Sequence, residues 1–296
     1  MLSRRTLLLG GTAAGAALLV GAGVGVQQGA LPGRPWLQEH LHLNGPDGVV
    51  PDVAAGPVEY GRFVSAARLG ADTGWCLIYP PGHDERLPVV VALHALGQDH
   101  ASLVAPDMGL PQYLAAAIRD GVPPFAIAAA DGGDSYWHLR PDGEDAAAMI
   151  TDELLPLLRE RGLDTDRIGL LGWSMGGYGA LRLAGDLGPA RVAAVVAASP
   201  ALWIDPADAS SAGFDDAEEY EEFSVMGDQA DLEGIEVRVD CGTGDPFYRA
   251  VQDYVDGFED GEVTSTFEAG GHDEGYWRRM LPDELAFLGA AVGSGA

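Results

Sequence analysis

A serine between two glycines lies directly after an apolar run of the chain. Residues 172–176 read Gly-Trp-Ser-Met-Gly, follow the run 168–171 and precede a helix-like pattern. A nucleophilic serine on a sharp strand-to-helix turn needs glycines nearby, because larger side chains would clash there. We therefore predict that Ser174 is a nucleophile for acyl transfer.

A histidine and an aspartate follow this serine in a defined order. His272 is the only histidine downstream of Ser174 and comes after the apolar run 263–267. Asp245 lies between them, in a glycine-rich loop after the run 235–239. The order Ser, Asp, His, with each residue past a strand end, is typical of a catalytic triad on a parallel sheet. We predict that His272 is the general base and that Asp245 orients its imidazole.

Two other aspartates lie close enough in sequence to compete for the histidine. Asp240 belongs to a strand pattern, which ties its direction to that of Arg238, so we expect it to make a local hydrogen bond. Asp273 is adjacent to His272, and the side chains of neighbouring residues usually point apart. Asp245 is therefore the predicted partner.

Two backbone N–H groups should hold the oxyanion of a tetrahedral intermediate. One follows the nucleophile, at Met175, and the other comes from the loop after an earlier strand. That loop, residues 94–98, follows the run 89–93, and we predict Leu96 as its donor. His94 is expected to hydrogen-bond the backbone, since His272 already fills the place of the base.

A further loop, residues 131–138, follows the run 125–130 and should stand on the same rim of the sheet. Tyr136 and Trp137 in this loop, and Trp173 beside the nucleophile, are predicted to contact the substrate, with ordinary packing as the alternative. No metal site is predicted, because the aspartates of this loop lack the spacing of a Ca²⁺ loop. We therefore expect no metal ion in this loop.

Short apolar runs alternate with longer helix-like segments along most of the chain. Several runs are apolar throughout, as strands buried on both faces of a parallel sheet must be. We therefore predict an α/β fold with a mostly parallel central sheet flanked by helices. The expected strands are residues 76–79, 89–93, 125–130, 168–171, 192–198, 235–239 and 263–267, and the expected helices are residues 110–120, 146–161, 176–185 and 248–258.

An acidic stretch interrupts this alternation. Residues 210–232, within an insertion predicted over residues 199–234, carry six carboxylates at positions 215–222, with Phe214, Tyr220 and Phe223 among them. The stretch is too long for a tight connection between elements. It is predicted to be either a lid over the site or a solvated excursion.

The chain has 296 residues, 47% of them hydrophobic, which is enough to bury a sizeable core. Its formal net charge is −28, and it contains no lysine. Nucleic acids and anionic lipid surfaces are bound mainly through basic patches, so neither is an expected partner. The expected partner is a small-molecule, carbohydrate or glycolipid ester.

The first 35 residues are typical of an export signal. Arg4 and Arg5 precede an uncharged Gly/Ala/Leu stretch, residues 6–26, which is the layout of a twin-arginine signal. At about 21 residues the stretch is also long enough to be an uncleaved membrane anchor. We predict export to the cell envelope or the medium, a lead-in segment over residues 36–60 and one catalytic domain over residues 61–296.

Cys76 and Cys241 both lie in apolar, strand-like runs. Export would place them in an oxidising compartment, where a disulfide can form. Small buried cysteines are common and these two strands need not be neighbours, so we favour two free thiols, with a disulfide as the alternative.

Three motifs together resemble a known family. Residues 172–181 (Gly-Trp-Ser-Met-Gly-Gly-Tyr-Gly-Ala-Leu), residues 242–247 (Gly-Thr-Gly-Asp-Pro-Phe) and residues 271–273 (Gly-His-Asp) are similar to motifs of the "Putative esterase" group of α/β-hydrolases. That group includes S-formylglutathione hydrolases of the esterase D type, feruloyl esterases and the antigen 85 mycolyltransferases. The resemblance covers residues 61–288 and implies the α/β-hydrolase fold and a serine esterase or acyltransferase that needs no cofactor.

Two positions depart from parts of this group. Ala95 stands where relatives often carry glycine in the oxyanion loop. Mycolyltransferases tend to have glutamate as the acid, so Asp245 is closer to the hydrolase members. The resemblance implies a carboxylic ester hydrolase acting through an acyl-enzyme on Ser174, which the N-terminal pattern predicts to be exported, with a cell-envelope acyltransferase as the alternative.

Overall fold

The computed structural model describes residues 33–82, 86–259 and 261–293. In this part of the chain eight strands form one sheet. They are β1 (Val58–Ser65), β2 (Ala71–Ile78), β3 (Pro88–Leu93), β4 (Ala126–Ala130), β5 (Asp164–Trp173), β6 (Val192–Ala198), β7 (Glu236–Gly242) and β8 (Val263–Glu268). Their order across the sheet is β1-β2-β4-β3-β5-β6-β7-β8. The β1–β2 and β2–β4 pairs are antiparallel, and all other neighbours run parallel.

Helices cover both faces of the sheet. They are α1 (Arg34–His40), α2 (His100–Val104), α3 (Leu110–Arg119), α4 (Ala146–Ala148), α5 (Leu155–Glu160), α6 (Met175–Leu187), α7 (Ala217–Phe223), α8 (Tyr248–Val255) and α9 (Glu274–Gly293). A π-helical turn, Met149–Leu154, joins α4 to α5. One face of the sheet packs against α4, α5, α6 and α8, and the other packs against α3 and α9.

The central strand β3 shows why the apolar runs are continuous. Val89, Val91 and Leu93 belong to the core on the α6 side, whereas Val90 and Ala92 belong to the core on the α9 side. All five side chains are completely buried. A strand with helices on both faces has no solvent face, so its residues are apolar without alternation.

The predicted α/β fold is confirmed. The seven expected strands correspond to β2–β8, and the four expected helices correspond to α3, the α4–α5 segment, α6 and α8. β1 was not predicted, because this edge strand is only partly buried and has no continuous apolar run. It spans residue 61, where the catalytic domain was expected to begin.

The insertion between β6 and β7 packs its aromatic side chains against the rest of the domain. Phe214 and Tyr220 are buried, and the Phe214 ring is centred 5.4 Å from the ring of Tyr136 in the loop after β4. The largely buried Arg140 forms an ion pair of 2.6 Å with Glu219 of the insertion. The remaining acidic side chains of residues 215–222 are exposed. The insertion therefore packs its aromatic side chains inward and presents an acidic outer surface to solvent.

Three expectations concern the N-terminus and the cysteines. The signal was predicted over residues 1–35, of which residues 1–32 lie outside the described residues. Within the described ranges, no helix is long and apolar enough to cross a bilayer. Cys76 on β2 and Cys241 on β7 are both buried and free, and four strands separate them in the sheet. The expectation of two free thiols is confirmed.

Candidate active site

The nucleophile turn lies between the last residue of β5 and the first residue of α6. Ser174 has φ 54° and ψ −117°, a conformation that residues other than glycine seldom adopt. A Cβ at position 172 would overlap the Gly176 carbonyl oxygen, and a Cβ at position 176 would overlap the Leu93 carbonyl oxygen. The two glycines therefore let the turn close against β3. Such strain persists where the surrounding packing fixes it, and it lifts the serine above the strand end.

A continuous chain of hydrogen bonds joins the three predicted triad residues. His272 Nδ1 lies 2.7 Å from Asp245 Oδ2, and His272 Nε2 lies 2.8 Å from Ser174 Oγ. An ionised carboxylate only accepts hydrogen bonds, so Nδ1 carries the ring proton and Nε2 is left to accept from the serine hydroxyl. The Asp245 side chain is fully buried, and its other oxygen accepts a 2.8 Å hydrogen bond from the Phe247 N–H. This arrangement can withdraw the proton of Ser174.

The two competing aspartates have other partners. Asp240 Oδ2 accepts a 2.7 Å hydrogen bond from Arg238 Nε on the same strand. Asp273 Oδ1 accepts a 2.9 Å hydrogen bond from the Tyr276 N–H in the first turn of α9. Neither carboxylate hydrogen-bonds His272, which leaves Asp245 as its carboxylate partner.

The two predicted oxyanion donors follow the ends of adjacent parallel strands. Leu93 of β3 is paired with Gly172 of β5, so Leu96 and Met175 each lie three residues beyond this pair. Met175 is the first residue of α6, and its N–H has no acceptor in a preceding helical turn. Leu96 lies in the loop and is partly exposed. Both N–H groups are therefore available at the rim where Ser174 stands.

His94 fixes the loop that carries Leu96. The Gly132 N–H donates a 2.9 Å hydrogen bond to His94 Nε2, so the ring proton sits on Nδ1 and is donated to the Ala95 carbonyl at 2.9 Å. Burial lowers the pKa of His94, which favours this neutral form. The histidine thus ties the oxyanion loop to the loop after β4, as expected for a residue with backbone partners.

The structure places the predicted substrate-contacting aromatics in the core. Trp137 and Trp173 are each 1% exposed, and Tyr136 is 3% exposed. The Trp137 ring packs so closely against Gly132 and Gly179 that a Cβ at either glycine would overlap it. All three side chains are therefore packed in the core, as in the alternative, and the expectation that Tyr136, Trp137 and Trp173 contact the substrate does not hold.

Two other aromatic residues lie beside the triad. The Phe247 ring is centred 5.2 Å from the His272 ring, and the Trp203 ring is centred 5.3 Å from that of Phe247. Both side chains are partly exposed. Neither was predicted from the sequence, although each follows the carboxyl end of a strand, which is the signal that identified the triad.

The described residues contain no group of three or more His, Cys, Asp or Glu side chains arranged to hold a metal ion.

Two carboxyl groups meet in the core where β7 faces α9. Glu284 and Asp240 are completely buried there, beside Arg238. Burial raises the pKa of Glu284 well above its usual range, and the neighbouring Asp240 charge adds to the shift. Burial also raises the pKa of Asp240, against the opposing effect of Arg238.

This cluster predicts a specific pH dependence of stability. In the unfolded chain Glu284 ionises at an ordinary pKa, so above that pH folding must take up a proton. The contribution of protonated Glu284 to the free energy of unfolding is fully present below the unfolded pKa. It is lost as pH rises toward the raised folded pKa, at about 1.4 kcal/mol per pH unit. Glu284→Gln abolishes this titration, and we expect the variant to gain stability relative to the parent between about pH 5 and pH 8.

Chemical denaturation at both pH values measures this difference. Asp283→Asn is the matched control, because Asp283 is the adjacent carboxylate and its side chain is 75% exposed. The control should follow the pH dependence of the parent protein. A Glu284→Gln variant that also followed the parent would show that Glu284 is ionised in the folded protein.

The chain matches one protein-family model over most of its length. Residues 66–288 of its 296 residues match the model of the family described as "Putative esterase". The chain belongs to this family. A search of curated protein sequences gave no match.

Solved structures of esterases have the same fold as this family member. A ferulic acid esterase superposes with a TM-score of 0.69 at 20% identity, over 80% of this chain and 100% of that one. An S-formylglutathione hydrolase from Agrobacterium tumefaciens superposes with a TM-score of 0.66 at 18% identity, over 83% and 100%. The fluorophosphonate-binding serine hydrolase F of Staphylococcus aureus gives 0.66 at 16% identity, over 80% and 99%. Family membership makes the chain an esterase, and the superpositions show that it has the fold of these enzymes.

Proposed function

We propose that the chain hydrolyses esters through an acyl-enzyme formed on Ser174. The observation that carries this proposal is the hydrogen-bonded chain from Ser174 through His272 to the buried Asp245. A serine hydroxyl is a weak nucleophile, and an adjacent oriented base is what activates it. The strained turn and its two glycines support the same role.

The geometry supports a two-step reaction. His272 Nε2 takes the Ser174 proton as Oγ attacks the ester carbonyl, and the N–H groups of Met175 and Leu96 hold the developing oxyanion. His272 then gives its proton to the leaving alcohol, which leaves the acyl group on Ser174. Water attacks this intermediate with His272 again as base, and His272 then returns the proton to Ser174 Oγ as the Oγ–acyl bond breaks and the carboxylic acid is released. Asp245 holds the imidazole in the required tautomer through both steps.

The surroundings of the triad favour an ester with an apolar or aromatic part. Trp203 and Phe247 present partly exposed rings next to His272. Aromatic side chains contribute large apolar contact areas to small-molecule sites. One of the similar structures is named a ferulic acid esterase, which is consistent with a substrate of this shape. We propose a small-molecule or carbohydrate ester as the substrate class.

A panel of esters tests the proposed function. It contains p-nitrophenyl esters of increasing acyl length, feruloyl esters and acetylated sugars, each assayed at equal enzyme concentration. We expect turnover of at least one class, with Ser174→Ala as the inactive control. If a folded preparation hydrolysed none of these esters, the proposal would be contradicted.

Transfer of the acyl group to a second alcohol is the alternative outcome within the same chemistry. Product analysis with and without a sugar acceptor separates the two, because hydrolysis gives only the free acid. We expect the free carboxylic acid as the product of both reactions. The reason is that an aspartate in the triad, here Asp245, makes the chain more similar to the hydrolases of the family than to its mycolyltransferases. A sugar ester as the main product would assign an acyltransferase instead.

We also propose export through the twin-arginine route, supported by the sequence of the N-terminal residues. Replacing both Arg4 and Arg5 by lysine is expected to leave the full-length precursor in the cytoplasm, because the paired arginines are the feature that the export machinery reads. Fractionation and immunoblotting of cells that produce each form measure this. Replacing Arg62, an exposed residue of β1 beyond the signal, by lysine is the control and should leave export unchanged. Unimpaired appearance of the lysine variant outside the cytoplasm would refute the proposed route.

A further inference from the structure

Residues 34–48, which we call the N-strap, precede the part of the chain that matches the esterase family. The N-strap consists of α1 and the loop that follows it. Its end is fixed to α9: the Gly48 N–H donates a 2.7 Å hydrogen bond to the Gly275 carbonyl, and Arg278 Nε donates a 2.9 Å hydrogen bond to the Gly48 carbonyl. Arg279 Nη1 donates to the Asn44 carbonyl at 3.3 Å. The N-strap is therefore an ordered part of the domain.

Two amide side chains of the N-strap lie on the loops that carry the acid and the base. A Cβ at Gly244 would overlap both Asn44 Oδ1 and Gln38 Oε1. A Cβ at Gly271 would lie 2.9 Å from Asn44 Nδ2. Gly244 immediately precedes Asp245, and Gly271 immediately precedes His272. Asn44 thus contacts the residue before the acid and the residue before the base with one side chain.

The two loops also contact each other at this place. The Gly244 N–H donates a 2.8 Å hydrogen bond to the Gly270 carbonyl, next to Gly271. The amides of Asn44 and Gln38 lie over this junction, and the Gln38 side chain is almost completely buried. Any movement of one loop relative to the other would change the distance between Asp245 and His272.

The amide oxygens are unusual in having no conventional hydrogen-bond donor. Gln38 Oε1 and Asn44 Oδ1 are buried and accept no N–H or O–H hydrogen bond within the described residues. Leaving a buried oxygen without a donor costs free energy, so such a group calls for an explanation. Both oxygens lie against the Gly244 backbone, where only glycine leaves room for them.

We propose that Asn44 and Gln38 are positioning residues for the Asp245–His272 pair. This inference rests on the proposed function, because it assigns the two amides to the geometry of the same triad. They act through the loops and touch no reacting atom. Tight packing of both amides on Gly244 holds the acid loop against the base loop, which keeps His272 Nε2 directed at Ser174. A displacement of a fraction of an ångström at such a site lowers turnover without changing substrate binding.

The test uses the full chain with the double substitution Gln38→Ala and Asn44→Ala. Initial rates with a p-nitrophenyl ester give kcat and KM per active site, and a fluorophosphonate probe gives the labelling rate of Ser174. We expect kcat and the labelling rate to fall by about ten-fold, with KM changed by less than about two-fold. Thermal unfolding of each variant shows whether the domain remains folded. If the double variant does not fold, each single variant is expected to lose about three-fold in both rates.

Glu39→Ala is the matched control, because Glu39 follows Gln38 on α1 and is exposed. It should match the parent in every measurement. The inference is overturned if the variants of Asn44 and Gln38 keep the parental kcat and labelling rate, or if their loss of activity lies in KM alone. A parent protein that neither hydrolyses the ester nor takes up the probe would instead refute the proposed function, and the positioning role with it.

Discussion

Ser174→Ala is expected to lower kcat by about 10⁶-fold, the scale seen when the nucleophile of a serine triad is removed. Without Oγ no acyl-enzyme can form, and the residual rate comes from the oxyanion donors and substrate binding alone. Folding should be preserved, because alanine removes only one buried oxygen. The positive φ of the turn is no more strained for alanine than for serine, because both residues carry a Cβ. Steady-state hydrolysis of the best ester from the panel measures the loss.

A control serine shows that the effect belongs to this position. Ser265 is exposed on β8, and Ser265→Ala should retain the parental rate. If Ser174→Ala retained a substantial part of the parental kcat, the ester would be cleaved by another group and the acyl-enzyme mechanism would be wrong.

Asp245→Asn is expected to lower kcat by about 10⁴-fold while the protein stays folded. The carboxylate accepts the Nδ1 proton of His272, and an amide that turns its NH₂ group toward the ring would stabilise the opposite tautomer. His272 Nε2 would then carry the proton and could not accept one from Ser174. The Phe247 N–H already occupies the other carboxylate oxygen, which favours the amide oxygen at that position and its NH₂ group toward the histidine.

Asp240→Asn and Asp273→Asn are the controls for this prediction. Asp240 bonds Arg238, and Asp273 accepts the Tyr276 N–H in the first turn of α9, a role that asparagine also fills. Both variants should lose about ten-fold or less in kcat. If Asp245→Asn stayed active and one of the two control variants were inactive, the acid of the triad would be that control residue and not Asp245.

The sequence predicts the site well where a strand end determines the position of a side chain. Parallel strands bring their carboxyl ends to one rim, so a serine, an aspartate and a histidine that each follow a strand must converge. The same reasoning located the loop of Leu96 beside Met175, because β3 and β5 are neighbours in the sheet. Continuous apolar runs located these strands, since both faces of the sheet are covered.

The features that the sequence did not predict depend on packing between distant segments. Trp137 and Trp173 have the right places in the chain to line a substrate site, but their rings point into the core. Trp203 and Phe247 were missed because their exposure beside His272 depends on how the insertion folds. The N-strap has no apolar periodicity of its own, and its contacts with Gly244 join positions about 200 residues apart.

The most direct test of the account is covalent labelling of the purified protein with a fluorophosphonate, followed by intact-mass and peptide analysis. The hydrogen-bonded chain from Asp245 to Ser174 Oγ predicts one adduct per chain, located on Ser174 and absent from Ser174→Ala. Labelling that persists unchanged in Ser174→Ala, or an adduct located on another residue, would contradict the assignment of Ser174 as the nucleophile.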